Sequence, residues 1–283
     1  MSAKICLLTG ATSGIGQAAA LDLASKGYEL FLTARSETKA DATSALIKRA
    51  VSDAKITWLY GDLSRQIDVR RIAAEFLQSG KQIDVLFLNA GISYNKRILS
   101  EDGYEMMMAV NHLAPFLLTQ LLFDRLCAGD HPLRVVATAS GAYNFVNEIN
   151  LDDISQSQNF KTFPAYGNSK LANILFIQSL AEKLAAAAPH KTLSVNCYHP
   201  GFVGTSIGTQ VLLGKILMAG FKPFVRSAAK GAETGLFLAL DSSVEGQNGG
   251  YYYNCKEQTL KPYARDAAAA EKLWAKSLEM TLG

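Results

Sequence analysis

Tyr166 and Lys170 stand four residues apart in Pro164-Ala165-Tyr166-Gly167-Asn168-Ser169-Lys170, on a stretch whose pattern predicts a helix beginning near Pro164. That spacing puts both side chains on one helix face, about a turn apart. A free phenol titrates near ~10 and is a poor proton donor or acceptor at neutral pH. An adjacent ammonium, together with a nearby cationic group such as an oxidised nicotinamide, favours the phenolate and is expected to lower the Tyr166 value. Such a pair could give a proton to a substrate oxygen or take one from it. The plainer alternative is a Tyr and a Lys on a solvated helix face.

A second chemistry-bearing stretch lies near the N-terminus: Thr9-Gly10-Ala11-Thr12-Ser13-Gly14-Ile15-Gly16 follows an apolar run and opens a helical pattern. Glycines allow a tight turn and a close backbone approach, and a helix N-terminus offers free N–H groups to a pyrophosphate. Three residues separate Gly10 from Gly14, so the spacing is not GxGxxG.

Both stretches need a frame. Apolar runs of strand length recur at Ile5–Thr9, Glu29–Thr33, Thr57–Tyr60, Val85–Leu88, Leu133–Ala137 and Leu193–Tyr198, and Tyr251–Tyr253 could close the set. Amphipathic or Ala-rich stretches lie between them, such as Ile15–Lys26, Val69–Gln78 and Leu171–Ala188. Strand–helix alternation with continuous apolar strands predicts an α/β fold: one Rossmann-type, doubly wound parallel sheet of about seven strands with helices on both faces. No linker or composition break divides residues 1–283, so one domain is expected. Residues 102–127 read as a helix apolar almost all round. Such a helix is buried on more than one side, which suggests a second subunit and a homo-oligomer, a dimer or tetramer, against the alternative of packing within one chain.

In its ordered motifs the chain resembles the short-chain dehydrogenase/reductase family, whose glycine motif is TGxxxGxG. The resemblance extends along nearly the whole chain and implies an oxidoreductase that moves hydride between a nicotinamide dinucleotide and a carbonyl or alcohol. It assigns cofactor contacts to Gly10, Thr12, Ser13, Gly14, Ile15 and Gly16 in the turn. It assigns an adenine contact to Asp62 and Leu63, and further contacts to Asn89, Ala90 and Gly91, where Leu88 replaces the first Asn of the family's NNAG. Pro200, Gly201, Val203 and Thr205 match the PG-x-x-x-T element that holds the nicotinamide carboxamide. The implied catalytic set is Asn111, Ser140, Tyr166 and Lys170, with Lys170 also on the nicotinamide ribose. Ser140 would hydrogen-bond the substrate oxygen. For Asn111 the residues supply an independent reason: Pro115, four positions later, has no N–H to bond its carbonyl in a helix. That carbonyl is then open to a water beside Lys170, and the helix is expected to kink.

Cofactor choice is read from the end of the second strand, Leu32-Thr33-Ala34-Arg35-Ser36. In dinucleotide folds an acid here bonds the adenine ribose of NAD. Ala34 occupies that position, Arg35 follows, and Lys39 adds a second charge, so NADP(H) is expected.

Ser100-Glu101-Asp102-Gly103-Tyr104-Glu105, Asn111-His112-Leu113, Ser169-Lys170-Leu171-Ala172-Asn173 and Leu273-Trp274 are similar to strings of the retinol-dehydrogenase-like branch, as is the gap of 26 positions from Ser140 to Tyr166. That branch handles lipophilic carbonyls and alcohols, including retinoids and steroids. Residues 204–226, rich in Ile, Val, Leu, Met and Phe, are expected to form an apolar lid over the substrate, the alternatives being a helix that only packs on the sheet or one that touches a membrane surface. Light-dependent protochlorophyllide reductases lack the serine that Ser140 supplies, and extended sugar-nucleotide epimerases carry a larger C-terminal domain. The alternative outside enzymology is an NADP-binding sensor or scaffold, which would not need a tuned phenol.

Composition narrows the remaining classes. A net charge of +3 with scattered Lys and Arg does not suit nucleic acid. Four separate cysteines without CxxC, and four histidines without HExxH, give no metal site and fit reduced thiols. No run approaches the ~20 apolar residues of a membrane span, and no signal-peptide pattern is read. A cytoplasmic location, with at most peripheral membrane contact, is the expectation.

Overall fold

The computed structural model describes residues 3–203 and 226–283. The lid expected at 204–226 lies outside the described residues except for Arg226, and so does Thr205.

Eight strands form one sheet in the order β3-β2-β1-β4-β5-β6-β7-β8. They are β1 (Ile5–Leu8), β2 (Glu29–Ala34), β3 (Ile56–Tyr60), β4 (Val85–Leu88), β5 (Leu133–Thr138), β6 (Leu193–Tyr198), β7 (Tyr251–Tyr253) and β8 (Lys256–Glu257). All neighbours pair in parallel except β7 and β8. The eighth strand goes beyond the sequence expectation. It is a two-residue return from β7, through Asn254 and Cys255 at positive φ of 52° and 58°, the geometry of a tight hairpin.

Alternation within the strands feeds two cores. Leu7, Leu86, Leu88, Val135 and Ala137 face one side, and Cys6, Leu8, Val85, Phe87 and Val136 face the other. The second side is covered by α1 (Gly14–Ser25), α2 (Glu37–Ala50) and a late helix, Ala228–Leu240. The first side is covered by α3 (Gln66–Gln78), α4 (Met106–Met108), α5 (Ala114–Leu121), α6 (Phe123–Cys127) and α7 (Thr162–Ala187). We number the late helix α8, and the C-terminal one, Ala267–Leu282, α9.

Between α4 and α5 the chain winds one π turn, Ala109–Leu113, closed by the Ala114 N–H on the Ala109 carbonyl. Pro115 cannot bond the Asn111 carbonyl, so the ladder widens just before it. The expected kink is therefore a π turn.

The helix that is apolar all round finds its second partner within the chain. Trp274 of α9 packs edge-on against Phe116 with ring centres 5.0 Å apart, and stacks on Phe176 of α7 at 6.0 Å. His112, fully buried, hydrogen-bonds Ser277 at 2.8 Å. Asp266 caps α9 through the Ala268 and Ala269 N–H groups. This intrachain cover buries part of the apolar face on which the expectation of a second subunit rested. No helix among the described residues is long and apolar enough to cross a membrane.

Candidate active site

Strand order reverses between β1 and β4, and the loops leaving these strands part at that point, where open α/β sheets bind ligands. Thr9 bridges the parting: its hydroxyl accepts from the Asn89 N–H at 3.0 Å and the Ala90 N–H at 3.1 Å. The Asn89 side chain returns bonds to the Thr9 and Gly10 carbonyls, and the Gly10 N–H donates to the Thr33 hydroxyl at 3.1 Å. Thr9 and Thr33, which the motif reading passed over, therefore fix the turn to β4 and β2. Gly16 is required by space: a Cβ there would stand 2.2 Å from the Gly10 carbonyl oxygen and 2.5 Å from Asn89 Nδ2.

The turn fits a dinucleotide pyrophosphate. Ser13 caps α1 without a side-chain hydrogen bond, and the first turn holds no acidic residue. Its N–H groups are left to an anion, with no carboxylate to repel it.

Arg35 and Asp62, assigned separate contacts from sequence, meet across the β2 and β3 ends as an ion pair at 3.5 Å. Burial pushes the Asp62 carboxyl up, but hydrogen bonds from the Ser64 amide and hydroxyl, with Arg35 beside it, hold it below the usual carboxylate range. Lys39 is exposed in the first turn of α2. Leu63 packs its side chain on the core.

At the other end of the same edge the polar groups are buried. Lys170, 2% exposed, donates to the Thr138 carbonyl at 3.0 Å, and its ammonium stands 5.7 Å from the Tyr166 ring centre. Burial lowers its pKa to about 8. Burial also raises the Tyr166 phenol above its ordinary value, and a hydrogen bond with Ser140 pulls the other way. In the protein without its cofactor, loss of water is thus the larger influence on the phenol; the lowering expected from sequence includes the positive charge of an oxidised nicotinamide beside it.

Ser140 lies two residues past the end of β5, and its hydroxyl also accepts from the Ala142 N–H at 3.1 Å, starting a 3₁₀ turn over Gly141–Phe145. That turn lies against α7 because Gly167 lacks a side chain; a Cβ there would meet the Ala142 carbonyl oxygen at 2.7 Å.

The Asn111 side chain is fully engaged. Its oxygen accepts from the Ile92 N–H at 2.7 Å, and its amide donates to the Ile92 carbonyl and to Ser169 Oγ, each at 3.0 Å. Ser169 in turn donates to the Tyr166 carbonyl at 2.8 Å. Asn111 therefore ties the loop after Gly91 to the helix carrying Tyr166. Ser169 and Thr138 complete this lattice. Ser169 stands in a string already noted from sequence, but neither its bond to Asn111 nor the Thr138 carbonyl's bond to Lys170 follows from spacing.

Pro200, Gly201 and Val203 follow β6. Gly201 donates its N–H to His199 Nδ1 at 3.3 Å, and Val203 pairs with Arg226 in a single parallel bridge. His199 stacks on Tyr253 at 5.0 Å, and its pKa falls to about 4 through burial, with Arg226 adding to the fall. No cluster of three metal-ligating side chains occurs among the described residues.

The short chain dehydrogenase family profile matches residues 4–214. Retinol dehydrogenase 14 from Mus musculus is 34% identical over 288 residues, covering 97% of this chain and 84% of that protein. Polyprenol dehydrogenase from Homo sapiens is 34% identical over 285 residues, covering 98% and 85%. A crystal structure of an uncharacterized protein from Mycobacterium paratuberculosis superposes with a TM-score of 0.75 at 29% identity, covering 99% of this chain and 93% of that one. A short chain dehydrogenase from Escherichia coli CFT073, complexed with NADPH, superposes at a TM-score of 0.66 with 25% identity, covering 88% and 95%. The family profile covers most of the chain and these relatives match it over nearly the full length, and on that ground the chain belongs to the short-chain dehydrogenase/reductase family, in its retinol-dehydrogenase-like branch.

Proposed function

We propose that this oxidoreductase uses NADP(H) to interconvert a lipophilic alcohol with its aldehyde or ketone. The convergence of Ser140, Tyr166 and Lys170 beside the glycine turn carries the reading. A sensor or scaffold would not need a buried lysine titrating near neutrality next to a phenol. Arg35 at the ribose end, Ala34 where NAD enzymes hold an acid, and the NADPH complex of the Escherichia coli relative support the cofactor. The names of the retinol and polyprenol dehydrogenases support a lipophilic substrate.

Bound NADP(H) supplies or receives the hydride. The protein's residues handle the oxygen and its proton. Ser140 orients the substrate oxygen, and Tyr166, protonated at neutral pH, donates to the oxygen formed in reduction. Lys170, with a pKa of about 8, exchanges protons readily near neutrality and returns one to the phenol, through water held at the Asn111 carbonyl. Gly10, Thr12, Ser13, Gly14, Ile15 and Gly16 hold the pyrophosphate. Asn89, Ala90 and Gly91 flank the ribose, and Pro200, Gly201, Val203 and Thr205 the carboxamide. A panel of lipophilic alcohols, aldehydes and ketones, followed by NADPH absorbance, tests the proposal. Absence of turnover across the panel with either NADPH or NADH overturns it.

A further inference from the structure

Three phenylalanines among the described residues are more than half exposed: Phe145 at 53%, Phe163 at 63% and Phe202 at 60%. Each sits beside a site motif. Phe145 ends the 3₁₀ turn that starts after Ser140, Phe163 lies one helical turn before Tyr166, and Phe202 follows Gly201. Phe145 and Phe163 belong to neither core and pack on each other edge to face, with ring centres 5.3 Å apart.

Helix spacing places this pair. Phe163, Tyr166 and Lys170 follow one another at intervals of three and four, so they line one face of α7. Phe145 meets that face at Gly167, where a Cβ would stand 3.1 Å from the Phe145 Cβ. Going outward along the helix, the order is ammonium, phenol, aromatic pair, with one turn of ~5.4 Å between steps. Two large rings left in water next to a polar reaction centre mark an apolar binding surface.

We infer that Phe145 and Phe163 form an aromatic clamp that grips the apolar tail of an extended primary alcohol or aldehyde whose head lies between Ser140 and Tyr166. The inference rests on the hydride-transfer reading of that head site. It commits the pair to substrate length: a short head group ends near the phenol and touches neither ring, whereas a chain of several isoprene units lies across both.

The test compares two allylic alcohols with the same head, prenol with one isoprene unit and farnesol with three. It uses the full chain with NADP⁺ and no lipid vesicles, so that membrane partition cannot mimic the effect. Phe145→Ser and Phe163→Ser should each raise KM for farnesol about tenfold, the scale of losing one side chain's apolar contact. Prenol kinetics, kcat for farnesol and KM for NADP⁺ should stay within about twofold on the same argument. Phe163→Leu should restore most of the farnesol affinity. Both rings are exposed, so thermal unfolding should not move, and Leu46→Ser, on the distant α2, serves as a surface control. Equal changes for prenol and farnesol, or no change for either, overturn the clamp. If the unmodified protein oxidises neither alcohol, the wider panel decides the reaction reading separately, and farnesol binding by equilibrium dialysis decides the clamp: undiminished binding by both serine variants sinks it.

Discussion

At the β1–β2 end of the sheet edge the site is made of backbone groups and exposed charge; at the β5–β6 end it is made of polar side chains removed from water. The first end offers N–H groups of a glycine turn, held by Thr9, Thr33 and Asn89, with Arg35 out in solvent. The second holds Asn111, Ser169 and Lys170 almost without exposure. The difference follows from what each end must do. A pyrophosphate is a fixed charge, and unreacting N–H dipoles recognise it at little cost. A proton in transit needs groups whose affinities are shifted from their values in water, and burial is the means. Substitutions should therefore act steeply at the buried end and mildly at the exposed one.

The steepest expected loss is at Tyr166. Tyr166→Phe keeps the ring and removes the only proton it can pass, so kcat should fall by ~100-fold or more, the scale of a positioned acid or base. NADPH affinity, measured by fluorescence titration, should change much less. Turnover within a few-fold of the unmodified enzyme would break the contrast at its strongest point.

Lys170 gives the next effect, with opposite signs for activity and stability. Its folded pKa of about 8 lies below the ordinary 10.5. Between those values the unfolded chain binds more protons than the folded one, so this group makes stability rise with pH. Below about 8 both states carry the charge and the burial penalty is fully present. Lys170→Met should relieve it at pH 7. From the shift alone the gain is on the order of 3 kcal/mol. The Thr138 carbonyl loses one donor, though Asn173 Nδ2 remains at 3.4 Å, so a net gain of about 1–2 kcal/mol is expected. Chemical denaturation at pH 7 and pH 10 measures it. The variant should be inactive yet harder to unfold at pH 7, with its advantage shrinking towards pH 10. A variant less stable at pH 7 would show that the ammonium is accommodated without strain.

The same contrast explains what could be read from sequence. Glycines and the Tyr166–Lys170 spacing announce themselves because each has a local geometric reason, and the apolar runs located the first seven strands within a residue or two. The buried lattice was legible only in part. Asn111 drew notice through Pro115, whose missing N–H reports on the carbonyl. Ser169 and Thr138 act through contacts between elements distant in sequence, which no spacing encodes. The ammonium four residues from the phenol is visible in sequence, whereas the burial that raises the phenol in the cofactor-free protein is not. The intrachain cover of the apolar stretch was hidden for a similar reason: Trp274 and Ser277, which pack on Phe116 and His112, come more than 150 positions later.

The smallest predicted effect lies at the exposed end and concerns the choice between NADPH and NADH. A charged hydrogen bond is worth ~1.5–3 kcal/mol, which would give Arg35 a 10- to 100-fold preference for a 2′-phosphate. The structure moves the expectation to the low end. The Arg35 side chain is 65% exposed and already faces Asp62 at 3.5 Å, so solvent screens the contact and a carboxylate competes for the guanidinium. A ratio of kcat/KM values of about ten is expected, with Arg35→Ala removing most of it and Ala34→Asp with Arg35→Ala reversing it. Asp62→Asn separates the two influences. Any contact of residue 62 with the adenine is common to both cofactors and cancels in the ratio, whereas release of Arg35 from its partner favours only the phosphorylated one. The NADPH/NADH ratio should therefore rise by about two- to fivefold in Asp62→Asn, the scale of an exposed ion pair, even if both KM values worsen. An unchanged ratio would mean that Asp62 does not compete, and equal kcat/KM values in the unmodified enzyme would remove Arg35 from cofactor choice altogether.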